Sequence, residues 1–244
     1  MRCAIISDIH ANLAAFTAVL DDIKGWGGVD KVWCLGDIVG YGPDPHECIA
    51  ALRQIDHICV AGNHDLAAIG KIGTAEFNPD AAAACQWTAK QLTSTDIAYL
   101  GKLPLFIEEG DFTLVHGSPA DPVWEYLLTA SQATDNSTLF KTQFCLVGHS
   151  HFPLVFGNDE KSEFSVMRFV TEVKLVPGRE RMIINPGGVG QPRDGNPQAS
   201  YAIYDSQSGL MKLQRIPYDI QSTQKRMVEH RLPMSLVTRL SYGL

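Results

Sequence analysis

The chain has no long apolar run, no basic cluster and no paired-cysteine motif. Its apolar stretches fall well short of the roughly 20 residues that a membrane helix needs, so no span is expected. Acidic residues outnumber basic ones 27 to 20, a net charge of −7 with histidine neutral. Without a Lys/Arg run or an aromatic-basic stretch, a nucleic-acid surface is not expected. The six cysteines, Cys3, Cys34, Cys48, Cys59, Cys85 and Cys145, form no C-x-x-C pair. Several sit inside apolar runs and read as small buried thiols, which argues against a zinc or disulfide framework and for a cytoplasmic setting. The first apolar run begins within a few residues of Met1, so no signal peptide is expected. Internal repeats, low-complexity segments and a separating linker are also missing. With 45% hydrophobic residues, the 244-residue chain can bury a full core, and one domain spanning 1–244 is expected.

Short apolar runs alternate with amphipathic stretches in the first sixty residues. Cys3 to Ile6 reads as a strand, and Leu13, Phe16, Val19, Leu20 and Ile23 recur at helical spacing behind Asn12 as cap. Lys31 to Leu35 is a second strand. Asp44-Pro45-His46-Glu47 reads as a helix start, with Asp44 as cap and Glu47 closing a capping box. Ile58 to Val60 is a third strand. This rhythm predicts right-handed βαβ units and a parallel sheet. Residues 66–104 read as helical, 106–109 with 112–115 as a hairpin, and 144–147 as a further strand. Short strands near 153–157, 163–170, 172–176, 180–184, 200–205 and 210–216 predict a second, more antiparallel sheet packed on the first. Residues 220–240 read as helical, broken at Pro233.

The apolar runs end in a recurring set of residue types. They are Asp8 and His10, then Asp37, then Asn63 and His64, then His116, then His149 and His151. At an extended strand end, side chains at i and i+2 share a direction, so Asp8 and His10 are expected to aim at one point. In open α/β sheets ligands bind past the carboxyl ends of strands. Taken singly, each residue fits a turn or a surface histidine. Five returns to one edge predict a metal site, and mixed imidazole, carboxylate and amide donors suit manganese, iron or zinc.

The blocks are Asp8-Ile9-His10, Gly36-Asp37, Gly62-Asn63-His64-Asp65, His116 and Gly148-His149-Ser150-His151. In this order they resemble the calcineurin-like metallophosphoesterase superfamily. Asn185 to Gly190 and Pro192 to Gly195 look like its small prokaryotic branch, which holds phosphodiesterases and proteins related to diadenosine tetraphosphatase. The resemblance implies two packed mixed β-sheets flanked by helices, a four-layer αββα sandwich. It also implies two divalent or trivalent ions bridged by Asp37 and a hydroxide, with manganese the first expectation among Mn, Fe, Zn, Ni and Co. One ion would take Asp8, His10 and His151; the other would take Asn63, His116 and His149. The second block reads Gly36 to Gly42 without the second aspartate and the arginine of protein Ser/Thr phosphatases, which sets that activity aside.

The implied reaction is hydrolysis of a small phosphodiester or dinucleoside polyphosphate by attack of the bridging hydroxide. His64 would donate to the leaving oxygen, with Asp65 orienting it and keeping it charged. Arg193 is read as a partner for a substrate phosphate or as a solvated loop arginine, and Tyr41 as a pocket wall. A metal-dependent nuclease and a non-catalytic scaffold are the competing readings. The exact substrate, the native metal and the oligomeric state are left open.

Overall fold

Period-two patterning explains why the early strands show no polar face. The structure, a computed structural model, describes residues 1–158, 163–178 and 180–244. The first elements are β1 (Arg2–Ile6), α1 (Leu13–Gly25), β2 (Lys31–Cys34), α2 (Pro45–Leu52) and β3 (His57–Cys59). Ala4, Ile6, Val32 and Cys34 point outward and pack with Phe16, Val19, Ile49 and Leu52 of the helices. Cys3, Ile5 and Trp33 point inward and meet a second sheet. Both faces are covered, so both alternating sets are apolar.

The chain then runs through α3 (Asn63–Ala68), α4 (Pro79–Gln91), α5 (Ser94–Leu100), β4 (Phe106–Glu109), β5 (Phe112–Val115), α6 (Ala130–Asn136) and β6 (Phe144–Leu146). Next come β7 (Pro153–Asn158), β8 (Phe164–Arg168), β9 (Glu172–Lys174), β10 (Met182–Pro186), β11 (Ala199–Asp205) and β12 (Leu210–Ile216). Two helices, α7 (Ile220–Glu229) and α8 (Met234–Arg239), follow the last strand. The sheets have six strands each, ordered β3-β2-β1-β11-β12-β9 and β4-β5-β6-β10-β7-β8. Helices flank the pair, giving the expected sandwich of two mixed sheets.

Two expectations are corrected. The late strands do not make a sheet of their own: β11 pairs antiparallel with β1 and brings β12 and β9 into the first sheet. Meanwhile β10 joins β6 in the second. Strand pairing is non-local, and the same alternating pattern suits either partner. The capping box at α2 does not form, because Asp44 makes no side-chain cap hydrogen bond. Its carboxylate instead pairs with Arg226 of α7. Boxes do form at Thr93 with Asp96 and at Thr129 with Gln132.

The parallel strands decide where chemistry can sit. β1, β2 and β3 are parallel in one sheet, and β5, β6 and β10 in the other. The loops leaving their carboxyl ends converge on one edge of the sandwich. Trp33 is fully buried between the sheets, its ring 5.0 Å from Phe112 of the facing sheet. Trp33→Ala is expected to destabilise the fold by about 3–5 kcal/mol, read by equilibrium denaturation. A loss under about 1 kcal/mol would mean that the sheets do not depend on this contact.

Candidate metal centre

The loop after β1 does not continue the strand. Asp8 and His10 have φ of 55° and 47°, in the left-handed region. Asp37, His149 and His151 share that region, at 53°, 63° and 60°. Five of the eight described non-glycine residues with positive φ are therefore expected ligands. Each such conformation costs on the order of 1 kcal/mol or more and persists only where the surroundings impose it. Asp8 and His10 do converge, but through a tight left-handed turn rather than through strand alternation. Gly62 permits a close approach to this loop: a Cβ there would lie 2.0 Å from Asp37 Oδ1.

The side chains form two adjoining groups. His151 Nε2 lies 3.2 Å from Asp8 Oδ1 and 3.1 Å from His10 Nε2. His116 Nε2 lies 3.1 Å from Asn63 Oδ1 and 3.2 Å from His149 Nδ1. Asp37 stands between them, with Oδ2 3.6 Å from His10 Nε2 and 3.4 Å from His116 Nε2. Every one of these residues is at most 4% exposed.

The second ring nitrogen of each histidine is tied to a backbone carbonyl. His10 Nδ1 donates to Val39, His116 Nδ1 to Leu35, His151 Nδ1 to Gln191 and His149 Nε2 to Trp124. A carbonyl can only accept, so each of these nitrogens carries the hydrogen. The other nitrogen then faces the centre with a lone pair or a displaceable proton. Both Asp8 carboxylate oxygens are buried without a hydrogen-bond donor. A buried carboxylate facing ring nitrogens at 3.2 and 3.8 Å is unstable unless a cation or a proton stands among them. The donor set therefore fits two metal ions, and each imidazole has the carbonyl partner usual for a ligand.

Local charge agrees with this. Burial works to raise Asp8 and Asp37, yet His151 and His116 respectively hold both carboxyls well below the usual range. Burial lowers His10 and His151, and takes His149 down to about 3. His116 differs: burial opposes its charge, but Asp37 outweighs burial and raises it to about 9.

Asp65 does not orient His64, contrary to expectation. Its carboxylate accepts the backbone N–H of Asp37 and Gly62 at one oxygen, and of Ile38 and Val39 at the other. It thus fixes the Asp37 loop against the start of α3. Burial and then Asp37 push Asp65 up to about 7, against these four donors. His64 instead packs against Tyr41 and Phe77, ring centroids 4.3 and 4.6 Å away. Its Nδ1 is buried with no partner. Burial lowers His64 to about 4.

Arg193 lies over the same cleft, Nη2 3.1 Å from Gln191 Oε1 and 3.4 Å from the Tyr41 hydroxyl. Its Nε is buried, while the residue as a whole is half-buried. Tyr41 is 5% exposed and walls the site. The cleft is small, about 100 Å³, and Phe77, Trp124 and Tyr126 complete its rim. These three aromatics were not singled out by sequence, although the loops at 66–80 and 117–135 were expected to shape the pocket. Spacing carries no signal for them, because tertiary folding alone brings the two loops together.

Two six-stranded sheets with a histidine–carboxylate cluster on their shared edge define a metallophosphoesterase sandwich. The calcineurin-like phosphoesterase superfamily domain matches residues 1–209, and the chain belongs to that superfamily. A crystal structure of a metallophosphoesterase from Sphaerobacter thermophilus is 47% identical, with a TM-score of 0.90 over 100% of this chain and 99% of that one. The uncharacterized protein MJ0912 of Methanocaldococcus jannaschii is 40% identical over 246 residues, 98% of this chain and 97% of its own. A symmetrical bis(5'-nucleosyl)-tetraphosphatase of Pseudomonas putida is 36% identical over 68 residues, 27% of this chain and 24% of its own.

Two predictions follow from the geometry. Asp65→Asn keeps the shape but turns an amide NH₂ toward two N–H donors. It is expected to destabilise the fold by about 1–3 kcal/mol and to weaken manganese binding, read by denaturation and calorimetry. Unchanged values for both would show that the clamp is dispensable. The raised His116 predicts a pH dependence. A group held above its ordinary value stabilises the fold fully below that value and loses the contribution as pH rises through the folded one. Metal-free protein is therefore expected to lose stability between pH 6.5 and about 9, and manganese affinity to rise over the same window. Calorimetry at pH 7 in buffers of different ionisation enthalpy should count a proton released on binding; none released would contradict this.

Proposed function

We propose that this chain, acting as one unit, is a dinuclear metal-dependent phosphoesterase for a small phosphodiester or dinucleoside polyphosphate. One observation carries the reading. Four buried imidazoles, each pinned by a backbone carbonyl, turn their other ring nitrogens toward Asp8 and Asp37, and these rings are the only ion-pair partners of the two carboxylates among the described residues. Asp8, His10 and His151 would hold one ion and Asn63, His116 and His149 the other, with Asp37 between them. Manganese is the metal proposed, with iron, zinc, nickel or cobalt compatible with the donors. Such ions, when bound, supply Lewis-acid stabilisation of charge on a phosphoryl group.

The protein's own residues do the rest. The cleft admits a phosphoryl-sized group and leaves the remainder of a substrate outside. Arg193 offers a guanidinium to a phosphate oxygen. His64 is proposed to hold the proton that the leaving oxygen receives, since its backbone N–H is fixed 2.9 Å from Asp37 Oδ1 and its ring lines the cleft. Gly40 makes room for that ring: its φ is 91°, and a Cβ would lie 2.4 Å from His64 Nδ1. The nuclease reading has no basic surface to support it, given the net charge of −7. A cytoplasmic setting is proposed from the six buried, unbridged cysteines. No described helix is long and apolar enough to cross a membrane.

The test is hydrolysis of bis-p-nitrophenyl phosphate against p-nitrophenyl phosphate with added manganese, with metal analysis alongside. Activity on the diester that is lost on chelation and restored by manganese is expected. An inert protein at every metal tried would leave the scaffold reading. His64→Ala is expected to lower kcat by about 100-fold or more while two metals per chain are retained. Full activity, or loss of a metal, would remove His64 from the proton-donor role.

A further inference from the structure

A single segment bridges the two halves of the metal centre. The block Asn185 to Gly190 starts at the end of β10 in the second sheet and crosses to the loop after β1 in the first. The Val189 N–H donates to the Ser7 carbonyl and the Gly190 N–H to the Asp8 carbonyl, both at 2.9 Å. Only glycine fits at 190, because a Cβ would lie 1.8 Å from the Ile9 carbonyl oxygen. The next residue, Gln191, supplies the carbonyl that accepts from His151 Nδ1. The segment thus touches ligand-bearing loops of both sheets.

Asn185, which opens the block, is fully buried. Its Nδ2 donates to the Gly148 carbonyl at 2.6 Å and to Ser150 Oγ at 3.0 Å, and its Oδ1 accepts the Gly187 N–H at 2.8 Å. A carbonyl at one end and an N–H at the other fix which atom of the amide is which. Aspartate has the shape but lacks the donors, and glutamine is one carbon longer. Gly148 and Ser150 are the residues that precede His149 and His151, whose φ of 63° and 60° are left-handed. Such backbone relaxes unless contacts impose it, and Asn185 grips the loop just before each histidine. The two rings then part company: His149 faces His116, while His151 faces Asp8 and His10.

Resting on the dinuclear reading above, we propose that Asn185 is a positioning residue for both ions at once. Its amide is spent on the chain itself, so it acts through His149 and His151 rather than on a substrate. One side chain holds the loop that delivers one ligand to each ion, and its loss loosens the two sites together rather than either alone. The segment behind it keeps Asp8 in step with His151, since Gly190 holds the Asp8 carbonyl and Gln191 holds the His151 ring.

The test is calorimetric titration of metal-free protein with manganese, in the wild type, Asn185→Ala and Asn185→Asp. The control is Tyr201→Phe, which removes a buried hydroxyl bonded to Asp22 of α1, outside all these loops. Asn185→Ala is expected to weaken both manganese sites about 10–100-fold, as for loss of an outer partner of a ligand. Asn185→Asp is expected to weaken them at least as much, since a carboxylate oxygen would face the Gly148 carbonyl. Tyr201→Phe is expected to lose stability to denaturant and keep both affinities. Unchanged affinities in Asn185→Ala, weakening of one site alone, or equal weakening in Tyr201→Phe would overturn the proposal. Should Asn185→Ala fail to fold, Ser150→Ala carries the test, because it removes one of the two acceptors and leaves the Gly148 contact. A smaller weakening of both sites is expected there, and no weakening, or weakening of one site alone, would overturn the proposal. Fewer than two ions bound by the wild type would reject the dinuclear reading and the proposal with it, whereas two ions bound equally well by wild type and variant would overturn the proposal alone.

Discussion

The structure is organised around a cluster of buried electron pairs with too little positive charge of its own. Asp8 and Asp37 are fully desolvated, and imidazole nitrogens point at them from both sheets. A protein interior does not tolerate that arrangement without a cation or protons in the middle. His116, which Asp37 raises to about 9, stands where Asp37, Asn63 and His149 meet. A cation placed there would displace a proton from His116.

Holding such a cluster together requires stiffness around it. The carbonyls of Leu35, Val39, Trp124 and Gln191 fix the rings, and Asp65 ties four backbone N–H groups into one knot beneath Asp37. Strained left-handed residues sit in these loops because the loops must turn sharply at the end of each parallel strand. The inter-sheet core, with Trp33 against Phe112, keeps the two sets of strand ends in register with each other. Site and core are thus one mechanical unit: ligands come from both sheets, so the sheets cannot slide without opening the cluster.

Much of this was readable beforehand. The strands before Asp8, Asp37 and Asn63, the hairpin at 106–115 and the cap at Asn12 depend on local propensity and periodicity, and they fold as read. The partition of strands between the sheets was not readable, since β11 reaches β1 across nearly the whole chain. Asp65 was misassigned for a related reason. A carboxylate beside a histidine looks like its partner in sequence, but the helix turn at Asn63 sends it back toward the Asp37 loop.

By itself the sequence determined which residue types end each apolar run, and hence that oxygen and nitrogen donors would gather at one sheet edge. That much follows from short-range rules: alternation, capping and the position of strand ends. Only tertiary structure decided that the edge is shared by two sheets, that Asp37 lies between two donor groups, and that a terminal helix packs against Tyr41. These depend on contacts between segments more than a hundred residues apart, such as Tyr41 with Leu240, and no local pattern encodes which distant surfaces will meet.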